Sequence, residues 1–144
     1  MPLPTPEIGL VIGYSYLWKS EAEQGQTEGV KNRPCAIILM VQTEEKDPLV
    51  TLVPITHTPP LMPDDAIEIP HNTKLRLGLD GERSWVVITE VNRFFWPGPD
   101  LRPINRDQPD TFVYGSLPPS LFRTIRDKLI AHARLQTLKT VTRD

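Results

Sequence analysis

The chain has 144 residues, 39% of them hydrophobic and 24% charged, with a formal net charge of −2. It is long enough for one domain with a real core and too apolar for a disordered segment. The small negative charge excludes a globally basic nucleic-acid binder, so any such function rests on a local basic patch.

The 16 prolines are more than twice the usual share and favour short strands joined by loops. Cys35 is the single cysteine, which rules out an internal disulfide and any dependence on an oxidising compartment. No basic segment followed by an apolar one opens the chain, and no apolar run approaches membrane-spanning length. The expected location is therefore cytoplasmic, with no membrane partner. One domain is expected over 1–144, with its core from about 8 to 135 and loose ends at 1–7 and 136–144.

In chain order, Met1 to Glu7 is proline-rich and reads as a loose arm. Ile8 to Trp18 is apolar and aromatic and reads as a strand, its two glycines allowing a bulge or a close crossing. Lys19 to Asn32 is polar with two glycines and reads as a mobile loop, long for a hairpin connection. Pro34 to Val41 is a continuous apolar run, the pattern of a strand buried on both faces. Gln42 to Pro48 is an acidic turn. Leu49 to Thr56 is the next strand, with Pro54 marking an edge or a bulge. The short polar connection makes these two strands a hairpin. An antiparallel pair sets the start of one strand beside the end of the other, so Arg33 is expected near Thr56.

Ala66 to Pro70 reads as a short strand and His71 to Leu77 as one or two helical turns. Gly78 to Arg83 is a turn, and Trp85 to Val91 a strong strand. Asn92 to Gln108 reads as irregular, with Phe94, Phe95 and Trp96 forming a core or subunit-contact cluster. Thr111 to Tyr114 is a last short strand. Pro118 and Pro119 suit a helix start. Leu121, Phe122, Ile125, Leu129, Ile130 and Ala133 then recur at helical spacing. The tail after Leu135 reads as frayed. This order points to a small, mainly antiparallel barrel or curled sheet closed by a C-terminal amphipathic helix.

His57, His71 and His132 have no metal-ligand spacing, and no phosphate-cradling glycine motif or serine elbow is present. No metal and no cofactor are expected. A basic stretch around Arg33, directly before a buried strand, suits phosphate binding, because guanidinium is planar, always charged and bidentate. On that segment alone a solvated surface charge is the commoner reading. RNA cleavage needs only a base, a stabiliser of the phosphorane and a proton for the leaving oxygen. Arg33, Lys31, Thr56, His57, Thr58, Glu28 and Glu90 supply those residue types.

The order of motifs also resembles a known family. Gly9-Leu10-Val11-Ile12, Glu28-Gly29 with Lys31-Asn32-Arg33-Pro34-Cys35, and Val53-Pro54-Ile55-Thr56 resemble segments of the MazF/PemK growth-inhibitor toxins. So do Ser84 to Val91 and Tyr114-Gly115-Ser116-Leu117. The resemblance runs from about Gly9 to Ala133. It implies an SH3-like barrel, a homodimer, and metal-independent, sequence-specific endoribonuclease activity on single-stranded RNA, neutralised by a cognate antitoxin. It places Arg33 and Thr56 in the catalytic site. Trp18, Lys19, Glu28, Lys31, His57, Thr58 and Glu90 are the candidate substrate contacts. The sequence departs from the family's pattern at Leu10, at Thr89-Glu90, and in two longer segments, 61–79 and 94–110. The rival expectation is a non-catalytic protein on the same barrel that binds a protein target, as the gyrase poison CcdB does, or serves as a binding module.

Overall fold

The structure is a computed structural model and describes residues 4–29, 31–44, 47–105, 107–135 and 137–143. Residues 1–3 of the expected arm, 45–46 of the acidic turn, 136 and 144 of the tail, and 30 and 106 lie outside that description.

The strands form one mainly antiparallel sheet of eight, with three α-helices against it. Its centre is the expected hairpin, β2 (Arg33–Val41) and β3 (Leu49–Thr56), paired antiparallel from Cys35↔Pro54 to Val41↔Leu49. Side chains alternate across β2 into two cores. Ala36 and Ile38 face one, with Val53, Val86 and Ile88. Cys35 and Ile37 face the other, with Tyr14, Leu52, Phe94 and Trp96. A strand buried on both faces can carry no polar period, which is why this stretch reads as a continuous apolar run.

β1 (Leu10–Tyr14) lies between β2 and β7 (Val113–Ser116), antiparallel to both, with a register shift after Val11. It is shorter than the expected 8–18. The close crossing occurs at Gly13, where a Cβ would overlap the backbone carbonyl of Arg102. The expected strand over 85–91 divides in two. β5 (Trp85–Val87) pairs with the end of β3 at Ile55 and Thr56, and β6 (Glu90–Phe95) pairs with its start at 49–52. Pro54 falls between these two partners. A residue without an N–H suits that break in pairing, and it needs no sheet edge to do so. β4 (Ala66–Glu68) pairs with β5 at one end of the sheet, and β7 forms the other. β4 and β7 do not pair with each other, so the sheet is open.

Helix α2 (His71–Leu77) follows β4 and stops at Gly78, which takes the left-handed conformation (φ 69°) common at helix C-termini. Helix α3 (Pro119–Arg134) buries Ile125 and Leu129 of its expected apolar face on the first core, with Leu121 and Phe122 packed against it, while Ile130 and Ala133 are exposed.

Further expectations are overturned. β6 takes Asn92–Phe95 out of the stretch expected to be irregular, because it pairs with the start of β3. The loop 19–32 begins with a helix, α1 (Lys19–Glu23), whose Glu21 carboxylate accepts the Trp18 N–H at 3.0 Å. That end cap compensates for a helix with no buried residue. The tail is not frayed. Lys139–Thr142 forms β8, parallel to β6, and Arg143 behind it is 5% exposed. No helix among the described residues is long and apolar enough to cross a membrane.

Candidate functional site

Carrying the hairpin register two residues beyond Cys35↔Pro54 sets Arg33 opposite Thr56. Both line a cleft of about 300 Å³, together with Lys31, His57, Asp80 and Tyr114. The local reasons are separable. β2 starts at Arg33, so its base is held by the ladder to Tyr14. β3 ends at Thr56, held against Trp85 of β5. The Gly78 turn returns the chain from α2, and Asp80 and Glu82 follow at His57.

The Arg33 guanidinium lies over the Trp18 ring, 5.0 Å from its centroid. Its buried Nε has no hydrogen-bond partner among the described residues. Burial lowers its pKa, but a guanidinium keeps its proton at any working pH. Arg33 lines the polar cleft, and a permanent planar cation there is suited to an anion.

Thr56 Oγ1 accepts the Thr58 N–H at 3.2 Å, the local strand-end role open to any threonine. Its own O–H remains available to donate. His57 is held by two carboxylates, with Nε2 2.7 Å from Asp80 and Nδ1 3.4 Å from Glu82. Asp80 is itself fixed by the buried Lys74 ammonium at 3.0 Å. With both ring nitrogens at carboxylates the imidazole is fixed in place, and it accepts a proton only when the exposed Glu82 leaves Nδ1. Tyr114 lines the same cleft, and burial raises its pKa.

A second hollow of about 320 Å³ adjoins the first at Thr56, which lines both. Trp18, Thr58 and Thr89 contribute to it. Arg33, Thr56, Lys31, His57, Trp18 and Thr58 are therefore gathered along one groove. Glu28 is exposed on the loop before β2 and lines neither hollow. Lys19 and Glu90 also stand off the groove. Glu90 Oε1 accepts the Tyr16 hydroxyl at 3.1 Å and the Lys19 N–H at 3.0 Å. Tyr16 in turn meets Trp18 edge-on at 5.1 Å. Glu90 thus supports the aromatic pair on which Arg33 rests. Cys35 is fully buried and its thiol is pushed up by burial, so it is no nucleophile.

Asp80, Glu82 and Tyr114 are the members that the sequence reading did not include. Asp80-Gly81 is visible as a turn, but nothing in one dimension ties that turn to His57. The ligand atoms of His57, Asp80 and Glu82 all lie within 4.8 Å of one another, a donor set that a divalent cation accepts. Lys74 already neutralises Asp80 there, and the three side chains are accounted for as an oriented imidazole.

No family model, no curated protein and no solved structure matches the chain.

Glu90 gives a pH-dependent prediction. Burial raises its pKa, against the two hydrogen bonds that lower it. A carboxyl raised by folding contributes stability that is complete below the ordinary glutamate value of about 4.3 and is lost as pH rises through the folded value. Glu90→Gln keeps an oxygen for Tyr16 and Lys19 and removes the charge. Its stability relative to wild type should rise as pH climbs from about 4.3 through the folded value, read from urea midpoints. A constant difference across that interval would contradict the assignment.

Proposed function

We propose that the protein is a metal-independent endoribonuclease of the MazF/PemK toxin type, acting on single-stranded RNA. One observation carries this reading. A guanidinium, a threonine and a carboxylate-paired histidine line one polar cleft that meets a second hollow at Thr56. A strand of RNA needs adjoining sites for successive nucleotides rather than a single closed pocket.

In this mechanism the RNA's own 2′-hydroxyl attacks the adjacent phosphorus. His57, its Nδ1 released by the exposed Glu82, takes its proton. Arg33 holds the charge that develops on the phosphorane oxygens, and Thr56 donates to one of them. The bond to the 5′-oxygen breaks, and that oxygen takes a proton from the protonated His57 or from Tyr114. Glu90 and Lys74 are positioning residues.

The mainly antiparallel sheet with α3 against it is open, and the SH3-like barrel that the resemblance implies is part of this reading. A homodimer is part of the proposal, but on a different surface from the expected one. Phe94 and Trp96 are buried in the second core, and only Phe95 is exposed. Phe95 is in line with Leu49 and Val41 across three strands. Leu49 and Val41, with Leu39 and Ile130, line a mainly apolar hollow of about 410 Å³ beside it. That face is the candidate contact for a second copy or for the antitoxin.

The test is incubation of the purified protein with a long mixed-sequence RNA in EDTA, with cut ends mapped. Discrete cuts support the reading. No cuts from the folded protein would replace it with the non-catalytic one, a barrel that binds a protein target.

A further inference from the structure

The groove's second hollow differs in chemistry from the first. Its walls are the Trp18 indole, Pro59, Pro60, Leu61, Val87 and Ala66, with the hydroxyls of Thr58 and Thr89. It contains no lysine or arginine and one carboxylate, Asp65. A lone carboxylate repels phosphate, so this half of the groove does not hold the backbone. Flat apolar walls and an indole are instead the surroundings of an unstacked base.

Asp65 is held by its main chain alone. Its N–H donates to the Met62 carbonyl at 3.0 Å and its carbonyl accepts the Ile88 N–H at 3.0 Å. Its carboxylate has no partner among the described residues. It sits at the end of the one-turn 3₁₀ segment Pro63–Asp65, within the long 61–79 segment. A carboxylate offers two acceptors and no donor. Of the four RNA bases, guanine alone presents two adjacent N–H donors, N1–H and N2–H, on its Watson–Crick edge.

We infer that the hollow beside Trp18 is a guanine subsite, in which Asp65 reads the base whose neighbouring phosphate lies at Arg33. This rests on the proposed RNA substrate and specifies its sequence. Thr56, common to both hollows, is the step from phosphate to base.

The test uses fluorescein-labelled pentamers with 2′-O-methyl sugars, which have no free nucleophile, so that binding is read without cleavage. The sequences are UUGUU, UUAUU, UUCUU, UUUUU and the inosine variant, with affinities measured by anisotropy. UUGUU should bind at least about tenfold more tightly than the A, C and U pentamers, as expected for a bidentate base contact. Inosine, which lacks the 2-amino donor, should fall between. Asp65→Asn retains the main-chain bonds that hold its segment, so it should fold normally and lose the guanine preference. Equal binding of all five pentamers, or an unchanged preference in Asp65→Asn, would overturn the subsite. The parent reading is separable. Cuts in natural RNA without guanine preference sink only the subsite, whereas guanine preference without cuts sinks only the nuclease.

Discussion

Arg33→Ala is expected to lower RNA cleavage by at least about 100-fold, the usual effect of removing a donor aimed at developing negative charge. The fold should survive. Arg33 contributes to stability through its stack on Trp18, a contact of about 0.5–1 kcal/mol. Its Nε has no partner whose loss would be felt. Stability and activity therefore separate at this residue, which distinguishes a site role from a scaffold role. Arg33→Lys keeps a charge but not the planar fork or its stack, and should restore only part of the rate. Initial rates on a quenched fluorescent RNA in EDTA, with thermal melts of each variant, are the measurement. A folded Arg33→Ala that keeps a tenth or more of the wild-type rate would remove Arg33 from the site.

The largest expected loss of stability lies at Arg143. Its guanidinium donates to the Ser15 carbonyl at 2.8 Å, to Asn92 Oδ1 at 3.0 Å and to the Thr27 carbonyl at 3.2 Å. It pairs with the buried Asp100 at 3.2 Å and lies 5.4 Å from the Tyr14 ring centroid. Asn92 is fully buried and exchanges two hydrogen bonds with Leu17. The network thus ties the segment after β1 to β6 and β8. Arg143→Ala leaves the Asp100 carboxylate buried with only Arg102, at 3.8 Å, to answer it. Breaking one side of a buried ion pair costs about 3–5 kcal/mol. For a chain of this size that lowers Tm by roughly 10–20 °C. Asp100→Asn in the same chain should recover part of the loss, because it removes the stranded charge. Calorimetry and urea titration of the two single variants and the double variant measure both effects. A loss below 1 kcal/mol for Arg143→Ala would show that the network is not a prop.

The central hairpin was legible because its signals are local. The apolar run of β2, the polar connection and the apolar run of β3 are adjacent, and the Arg33–Thr56 proximity follows from register alone. The Asp80 partner of His57 was not legible, because it depends on the direction in which α2 returns the chain. α1 has no buried residue and so no hydrophobic period to detect. β8 reads as a polar tail since only Val141 and Arg143 point inward. Its partner, β6, lies far back in the sequence. The division of β5 from β6 was hidden for another reason. Ile88 and Thr89 are good strand formers, and the break arises because β3 pairs with different segments along its length.

The position of Arg143 also bears on how the protein is made. It closes on Ser15 across 128 positions of chain, and β1 pairs with β7 across about a hundred. Such wiring belongs to topologies that fold in milliseconds to seconds. A ribosome delivers the β2–β3 hairpin first, then Asp80 and Tyr114 of the cleft, and only later the strand that carries Arg143. A nascent chain can thus display Arg33 and Thr56 well before Asp80 and Tyr114 complete the cleft around them, and the Arg143 network closes the fold last.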